Sequence, residues 1–459
     1  MNRSPLCVYA RSPAQREHKL ILRFWGTRGS IATPGPSTIE FGGNTSCAEV
    51  VTDSGARFIF DCGTGARLLG AYLLSQKERP VTGTILLTHT HWDHIQGFPF
   101  FAPLFVPGNV FRVCGPPGAN TSLPEVLSGQ MEYTYFPVEL AQLGAKIVYQ
   151  DFTEGTHQFE SARVSAQLLN HPAIALGYRV EADGVSVLYL CDHEPYWEPV
   201  WHSNAEPGRI ESILHDGDRR HALFMQGADV VIHDAQYTPE EYPSHKNWGH
   251  STWSYVTQLA VAAGVKRLYL THHDPMHDDA FLLNIERQAQ ALADSMGSPL
   301  RVTCAREGQV EKVTRQEVAS PEFTVQHANP SRSGSLVVLV IDDDEDLLLL
   351  ARKALTKAGH SVIEASNGEA GLRLAESQKP DLMILDLNMP GMDGFEVLRR
   401  LRTRETARPL PVIVLTGLGD EESARRSFEF GATDFLVKPF TPPQLDVRVR
   451  ACFAHADRD

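Results

Sequence analysis

Four residues of ligand type, His89, His91, Asp93 and His94, fall within the single segment LLTHTHWDHIQG, at the point where an apolar run ends. Imidazole and carboxylate together make a donor set that suits zinc, manganese or iron. On an extended stretch residues i and i+2 share a face, so His89 and His91 point the same way, whereas Asp93 and His94 open the next element and address a neighbouring position. Burying four such groups without a cation would be costly. A second set lies later in the chain: Asp342 and Asp343 close one apolar run, Asp386 another in LMILDLNMPGMDG, Thr416 a third in VIVLTG, and Lys438 precedes Pro439 in DFLVKPF. Clustered carboxylates of this kind repel one another unless a cation or Lys438 balances them.

These groups need strands that end together. In the first region short apolar, often β-branched runs (Phe58 to Phe60, Thr84 to Leu87, Val185 to Leu190, Val230 to Ile232) are bounded by Gly, Asp or His and read as strands. Helical spacing appears over Thr64 to Ser75, Ser251 to Ala263 and Asp279 to Met296, so the pattern favours a layered α/β arrangement. From Val337 onward strand and helix alternate strictly, which predicts a doubly wound parallel sheet with its site at the carboxyl ends of the strands. Between the two regions, TRQEVASPEFTVQHANPSRSGS is polar, holds two prolines and reads as a linker. The expected organisation is a disordered tail over 1–19, a first domain over 20–313, a linker over 314–335 and a second domain over 336–455.

At 459 residues the chain is too long for one ordinary core, and with 42% hydrophobic and 21% charged residues it has soluble composition. No apolar run approaches the roughly 20 residues that span a bilayer, and the N-terminal segment, with Arg3, Pro5, Arg11 and Pro13, lacks a secretory apolar region, so a cytoplasmic protein is expected with no membrane partner. The seven cysteines are scattered, odd in number and never spaced C-x-x-C, which fits buried reduced thiols. A formal net charge of -14 disfavours a long nucleic acid but leaves room for a small anion, since metal ions supply local positive charge.

The H-x-H-x-D-H segment resembles the signature of the metallo-β-lactamase superfamily, over roughly the first 310 residues. The resemblance implies an αββα sandwich holding two divalent metals, zinc or manganese, with iron as a further option. It extends to His171 in LLNHPAIALGYRVE, Asp192 in VLYLCDHE and His272 in LYLTHHDP. One metal would then take His89, His91, His171 and Asp192, the other Asp93, His94, Asp192 and His272. His272 is preferred to His273, which should face the opposite side of a strand end. Asp61 in FIFDCGTG is expected to support the ligand loop from behind, and Gly63 and Gly65 to serve a tight turn. Two metals sharing a carboxylate acidify water and brace a developing oxyanion, which suits amides, thioesters, lactones and phosphodiesters alike.

The segment NWGHSTWSYV narrows that choice. Ser251 or Thr252 offers a helix N-cap, a natural place for a phosphate oxygen, and His250 could protonate a leaving alkoxide or hold the phosphoryl group. GHST is similar to the phosphodiesterase branch of the superfamily, which includes tRNA 3'-processing nucleases and cyclic-nucleotide phosphodiesterases. The preceding VVIHDAQYT resembles the strand whose acid orients that histidine, with Asp234 the candidate and His233 a weaker one. The candidate catalytic residues are therefore His250, Asp93 and Asp234. The long substrate-gripping arm of the tRNA nucleases has no room in the about twenty residues between His171 and Asp192. In the opening segment FWGTRGSIATPGPSTIEFGGNTSCAEV either Arg28 or Asn44 lines the pocket or the glycines merely serve turns. In the insertion that starts at Glu194, Trp197 and Trp201 either stack on a base or pin the loop to the body.

From Leu336 to about Phe453 the sequence resembles a two-component response-regulator receiver. By that resemblance Asp386 accepts a phosphoryl group, Asp342 and Asp343 help hold magnesium, Asn388 supplies a backbone carbonyl, Thr416 hydrogen-bonds the phosphate, Lys438 pairs with it, and Phe435 is a rotating aromatic. A cognate histidine kinase or phosphotransfer protein is implied as partner, and a homodimer is expected. No DNA-binding output domain follows in the sequence, so the output is expected to be the hydrolase or a partner. The function expected is a dinuclear metal-dependent phosphodiesterase acting on a small phosphodiester, a cyclic nucleotide preferred, and regulated by aspartyl phosphorylation. The alternatives are a non-catalytic signalling adaptor that binds a nucleotide, and a lactone or thioester hydrolase.

Overall fold

In Lys19–Gly26 (KLILRFWG) every second side chain, Leu20, Leu22 and Phe24, is buried while its neighbours reach the surface. A period of two is satisfied only by an extended chain with one face on a core. Val185–Leu190 (VSVLYL) is instead buried throughout, as a strand covered on both faces must be. The computed structural model of the chain describes residues 19–77, 79–116, 121–159, 161–198, 200–201, 207–314, 335–404, 410–417, 426–427 and 430–456.

In chain order the strands of the first domain are β1 (Lys19–Gly26), β2 (Cys47–Val51), β3 (Arg57–Phe60), β4 (Thr82–Leu86), β5 (Val110–Gly115), β6 (Lys146–Asp151), β7 (Gly155–Gln158), β8 (Arg163–Leu168), β9 (Leu176–Ala182), β10 (Val185–Leu190), β11 (Val230–Asp234), β12 (Arg267–Thr271), β13 (Arg301–Cys304) and β14 (Val310–Thr314). Among the described residues they form two seven-stranded sheets, ordered β14-β1-β2-β3-β4-β5-β6 and β13-β12-β11-β10-β9-β8-β7. Leu22, Phe24, Val50, Phe58 and Phe60 of the first sheet pack on Val164, Tyr178, Val187, Tyr189 and Ile232 of the second, which makes the two a sandwich. The outer faces are covered by helices. α1 (Gly65–Ser75) packs Ala66, Leu69 and Leu73 on the first sheet, with the short α2 (Trp92–Ile95) and α3 (Leu123–Gly129) beside it, while α4 (Asp216–Met225), α5 (Trp253–Ala262) and α6 (Asp279–Ser295) cover the second. The layers are thus helix, sheet, sheet, helix, as expected.

Strands β3 to β6 run parallel, as do β10 to β13. Parallel strands put their carboxyl ends on one edge, and that edge receives the residues singled out above. The helices predicted over Thr64–Ser75, Ser251–Ala263 and Asp279–Met296 appear as α1, α5 and α6; Thr252 caps α5 and Asp278 caps α6 by accepting from the backbone N–H of Tyr255 and Phe281.

The second domain is a five-stranded parallel sheet of β15 (Val337–Ile341), β16 (Ser361–Ala365), β17 (Leu382–Asp386), β18 (Val412–Gly417) and β19 (Asp434–Lys438), ordered β16-β15-β17-β18-β19. Strand order reverses at β15, so Asp342 and Asp386, which follow β15 and end β17, flank the crevice. Helices α7 (Glu345–Lys357) and α10 (Pro442–Ala456) cover one face, and α8 (Gly368–Gln378) and α9 (Gly394–Arg404) the other. Lys19 and Thr314, assigned from sequence to tail and linker, are strand residues paired with each other; the rest of the tail, and 315–334 of the linker, lie outside the described residues. No helix among the described residues is long and apolar enough to cross a membrane.

Candidate metal centre

After β4 the chain bends at Thr88, carries His89 and the extended His91, then turns into a short helix, α2 (Trp92–Ile95), that carries Asp93 and His94. The sequence places two imidazoles on the extended arm and the other pair one turn on. His171 arrives from beyond β8, Asp192 from the end of β10, and His272 from the end of β12. His89, His91, His171 and Asp192 offer ligand atoms all within 4.8 Å of one another, and Asp93, His94 and His272 form a second such group. All are buried except His91, where the site opens.

Asp192 divides the two groups. Its Oδ2 lies 3.4 Å from His89 Nε2 and 3.8 Å from His171 Nε2, whereas its Oδ1 lies 3.2 Å from both His94 Nε2 and His272 Nε2. Asp93 Oδ2 is 3.0 Å from His272 Nε2 and 3.3 Å from His94 Nε2. The buried His89 Nε2, His94 Nε2 and Asp192 Oδ1 make no hydrogen bond. Unsatisfied buried polar atoms are expensive, and three of them converging from different elements fit a pair of divalent cations.

The far side of four of the imidazoles, His89, His94, His171 and His272, is tied down, which leaves their Nε2 for the centre. His94 Nδ1 sits 2.8 Å from Asp61, which also accepts from Thr88 N–H at 2.7 Å; His89 Nδ1 meets Thr88 Oγ1 at 3.1 Å, His171 Nδ1 the Gly249 carbonyl at 3.1 Å, and His272 Nδ1 the Gln236 side-chain oxygen at 3.0 Å. Asp61, Asp192 and His272 hold φ of 58°, 65° and 59°, left-handed values that non-glycine residues adopt at a cost usually stored at functional sites. Burial pushes His171 down to about 3 and His89 well below its ordinary value, so both are neutral lone-pair donors. Burial opposes ionisation of Asp93, yet His94 and His272 hold its carboxyl well below the usual carboxylate range.

His250 lies over this centre. Its ring stacks on His272 at 4.8 Å, and it shares a 4.8 Å cluster with Asp192 and His272. Its Nδ1 is 3.1 Å from Asp234 Oδ2, and the fully buried Asp234 also accepts from Ser251 N–H and Gln236 N–H. Burial works against protonation of His250, but the Asp234 carboxylate, then that of Asp192, outweighs it and pushes the imidazole up to about 9.

Other expected residues lie elsewhere. His273 turns away to the Ala305 carbonyl, and His233 meets His221 rather than His250. Arg28 is buried with its guanidinium donating to the carbonyls of Gly42, Asp274 and His277, and Asn44 donates to Glu307, so both hold loops together rather than line a pocket. Gly63 opens the expected turn into α1, with Ala66 N–H donating to its carbonyl at 2.9 Å, but neither Gly63 nor Gly65 has positive φ; a Cβ there would lie 2.3 Å from the Asp93 carbonyl oxygen and 2.4 Å from that of Trp25, so close backbone approach is what requires glycine. Trp201 Nε1 donates to Gln258 at 2.6 Å, while Trp197 faces Phe435 of the second domain, so both pin the insertion. Two residues that no sequence motif marks also support the site: Gln236, behind His272, and Glu194, whose carboxylate accepts from the N–H groups of Asn247 and Gly249.

In the second domain Asp342, Asp343 and Asp386 offer oxygens within 4.8 Å of one another, and Lys438 Nζ lies 2.7 Å from Asp342 Oδ2 and 3.0 Å from Asp386 Oδ1. Thr416 is buried near the end of β18, and the exposed Asn388 follows β17.

Two family models match the chain: beta-lactamase superfamily domain over residues 56–273 and response regulator receiver domain over residues 338–450. The chain joins a metallo-β-lactamase-fold domain to a receiver domain. The receiver is 41% identical over 122 residues to the transcriptional regulatory protein AfsQ1 of Streptomyces coelicolor, a match covering 27% of this chain and 53% of that protein. The chain spans about half the length of the curated relatives it matches. Among solved structures, the metallo-β-lactamase fold protein YhfI from Bacillus subtilis is similar at 16% identity and TM-score 0.45, covering 64% of this chain and 99% of that one. Human tRNase Z, short form, is similar at 21% identity and TM-score 0.42, covering 64% and 99%. The metallo-β-lactamase fold implies divalent metal, and the clusters around Asp192 supply donors for it.

Proposed function

We propose that the metallo-β-lactamase-fold domain, over 20–313, is a metal-dependent phosphodiesterase acting on a small phosphodiester, and that the receiver, over 336–455, regulates it. The observation that carries the reading is His250, held by Asp234 directly above the carboxylate that faces two groups of imidazoles. His89, His91, His171 and Asp192 would hold one divalent metal, and Asp93, His94, Asp192 and His272 the other. Bound there, the pair would supply an activated water and positive charge for the phosphoryl oxygens. The chain's own residues supply the rest. His250 Nδ1–H donates to Asp234, which leaves Nε2–H for the substrate; as the P–O bond breaks, its electron pair goes to the leaving oxygen and His250 gives that oxygen its proton. Asp234 keeps the ring oriented and steadies its charge in the protonated state.

An alkoxide leaving group, of a phosphodiester or of a lactone, needs a proton donor that a thiolate does not, and His250 held by Asp234 is placed to supply it; the resemblance of the GHST segment to the phosphodiesterase branch favours the phosphodiester over the lactone. The acidic site of the receiver supports Asp386 as phosphoacceptor, with magnesium held by Asp342 and Asp343 and a histidine kinase or phosphotransfer protein as donor. Turnover of bis(p-nitrophenyl) phosphate with added manganese or zinc, followed by a panel of 3',5'- and 2',3'-cyclic nucleotides and lactones, tests the reading. Hydrolysis of lactones alone would replace it, and nucleotide binding without turnover would favour an adaptor.

A further inference from the structure

The two domains meet at a defined place. Trp197 and Phe435 have ring centroids 6.1 Å apart at 84°, and the Arg448 guanidinium lies 5.3 Å over the Tyr196 ring and 5.9 Å from that of Phe435. Arg448 is positioned by Asp434, at 3.3 Å, and Tyr196 is buried. On the receiver side these residues belong to β19 and α10. Phe435 lies three residues before Lys438, whose ammonium bridges Asp342 and Asp386.

On the hydrolase side Tyr196 and Trp197 end a strap that starts at Asp192. Glu194 lies between. Its Oε2 accepts from Gly249 N–H at 2.8 Å and its Oε1 from Asn247 N–H at 2.6 Å and Tyr242 O–H at 2.9 Å. Gly249 precedes His250, and its carbonyl is the partner of His171 Nδ1. The strap is fixed at its outer end by Asp218, which accepts from Tyr196 N–H at 3.0 Å and Trp197 N–H at 3.1 Å. Few bonds therefore separate the Asp386 site from the loop that aims His250.

We propose that the strap Glu194–Trp197 is the element through which the receiver sets the position of His250, with Glu194 as the positioning residue and Trp197 and Tyr196 as the contact read by Phe435 and Arg448. A phosphoryl group on Asp386 adds charge beside Lys438, so β19 and Arg448 have two electrostatic environments, and the strap favours one. The proposal rests on the readings of His250 as acid and Asp386 as phosphoacceptor. Its test is arranged to fail separately from theirs.

Hydrogen exchange of the Asn247 and Gly249 amides would be followed in the full chain, with and without metals. Arg448→Ala and Trp197→Leu, on opposite sides of the contact, are each expected to speed that exchange about tenfold, and the double variant to add little more, because both open the same cluster around Phe435. In the unsubstituted chain beryllofluoride with magnesium is expected to change the same two amides about threefold or more, and either variant to remove that change. Exchange at Asn247 and Gly249 that ignores both variants, or variant effects that simply add, would overturn the strap, whatever the enzyme hydrolyses. A beryllofluoride response that survives in Arg448→Ala and Trp197→Leu would overturn it too. Absence of phosphodiester turnover alongside the expected exchange pattern would overturn the substrate reading and leave the strap standing.

Discussion

Asp192 is the residue on which the centre depends, because its two oxygens face different sets of imidazoles. Reconstituted protein is expected to bind about two equivalents of zinc or manganese, and Asp192→Asn one or fewer; elemental analysis after desalting reads both. His250→Ala should cost roughly a hundredfold or more on an unactivated phosphodiester and much less on an ester with a good leaving group, with metal content retained. Equal losses on the two substrates would leave His250 only a phosphate-positioning role. The pH profile gives a third check. Because the protonated imidazole is the acid, activity falls as pH rises through its pKa; Asp234 raises that pKa, so Asp234→Asn should move the alkaline limb to lower pH. At this scale His89, His91, Asp93 and His94 were legible because they crowd one segment, and His171, Asp192 and His272 because the resemblance supplied their order. Glu194 and Gln236 were not legible, since each acts through side-chain contacts to segments distant in sequence and a Glu or Gln in a loop carries no periodic signal.

The elements matter chiefly for where they stop. Strands β3, β10 and β12 are followed by Asp61, Asp192 and His272 in left-handed conformations, and such reversals turn a side chain from the sheet into the crevice. Strand existence could be read from β-branched runs; sheet order, and hence the meeting of His171 with His91, could not, because it is decided by pairing between distant segments. The glycines show the same limit. Gly63 and Gly65 suggested a turn, and Gly63 opens one, but both also allow backbone to approach backbone, which depends on a neighbour absent from the local sequence. Gly249 is more consequential: at φ 90°, a Cβ would lie 2.1 Å from His171 Nδ1. Gly249→Ala should therefore lose about 1–3 kcal/mol of stability from backbone strain and weaken metal binding by about 10–100-fold through His171. Thermal unfolding of the metal-free chain and metal titration separate the two effects.

At the scale of the molecule, both domains were legible because the spacing of polar residues at strand ends differs between them, whereas the Trp197–Phe435 contact was not: both aromatics fit other roles on sequence alone. With Asp386 as the phosphoacceptor, beryllofluoride with magnesium should change phosphodiester turnover by roughly five- to a hundredfold, the range of ordinary allosteric coupling, and Asp386→Asn should abolish the response. Steady-state rates of the two proteins, with and without beryllofluoride, decide it. One further consequence lies in the edge of the first sheet, where Lys19 pairs with Thr314. The first and last strands of the hydrolase are antiparallel neighbours, so the chain enters and leaves that domain at almost the same point. Topologically the domain is a closed ring. A short bridge joining 19 to 314, with new ends opened in the exposed turn at Ser54 and Gly55, would keep every ladder except the hairpin connection, and the permuted hydrolase should fold and bind metal. Attaching the receiver at those new ends, or supplying it as a separate protein, would then measure how much of the communication between the domains belongs to contact and how much merely to being tethered.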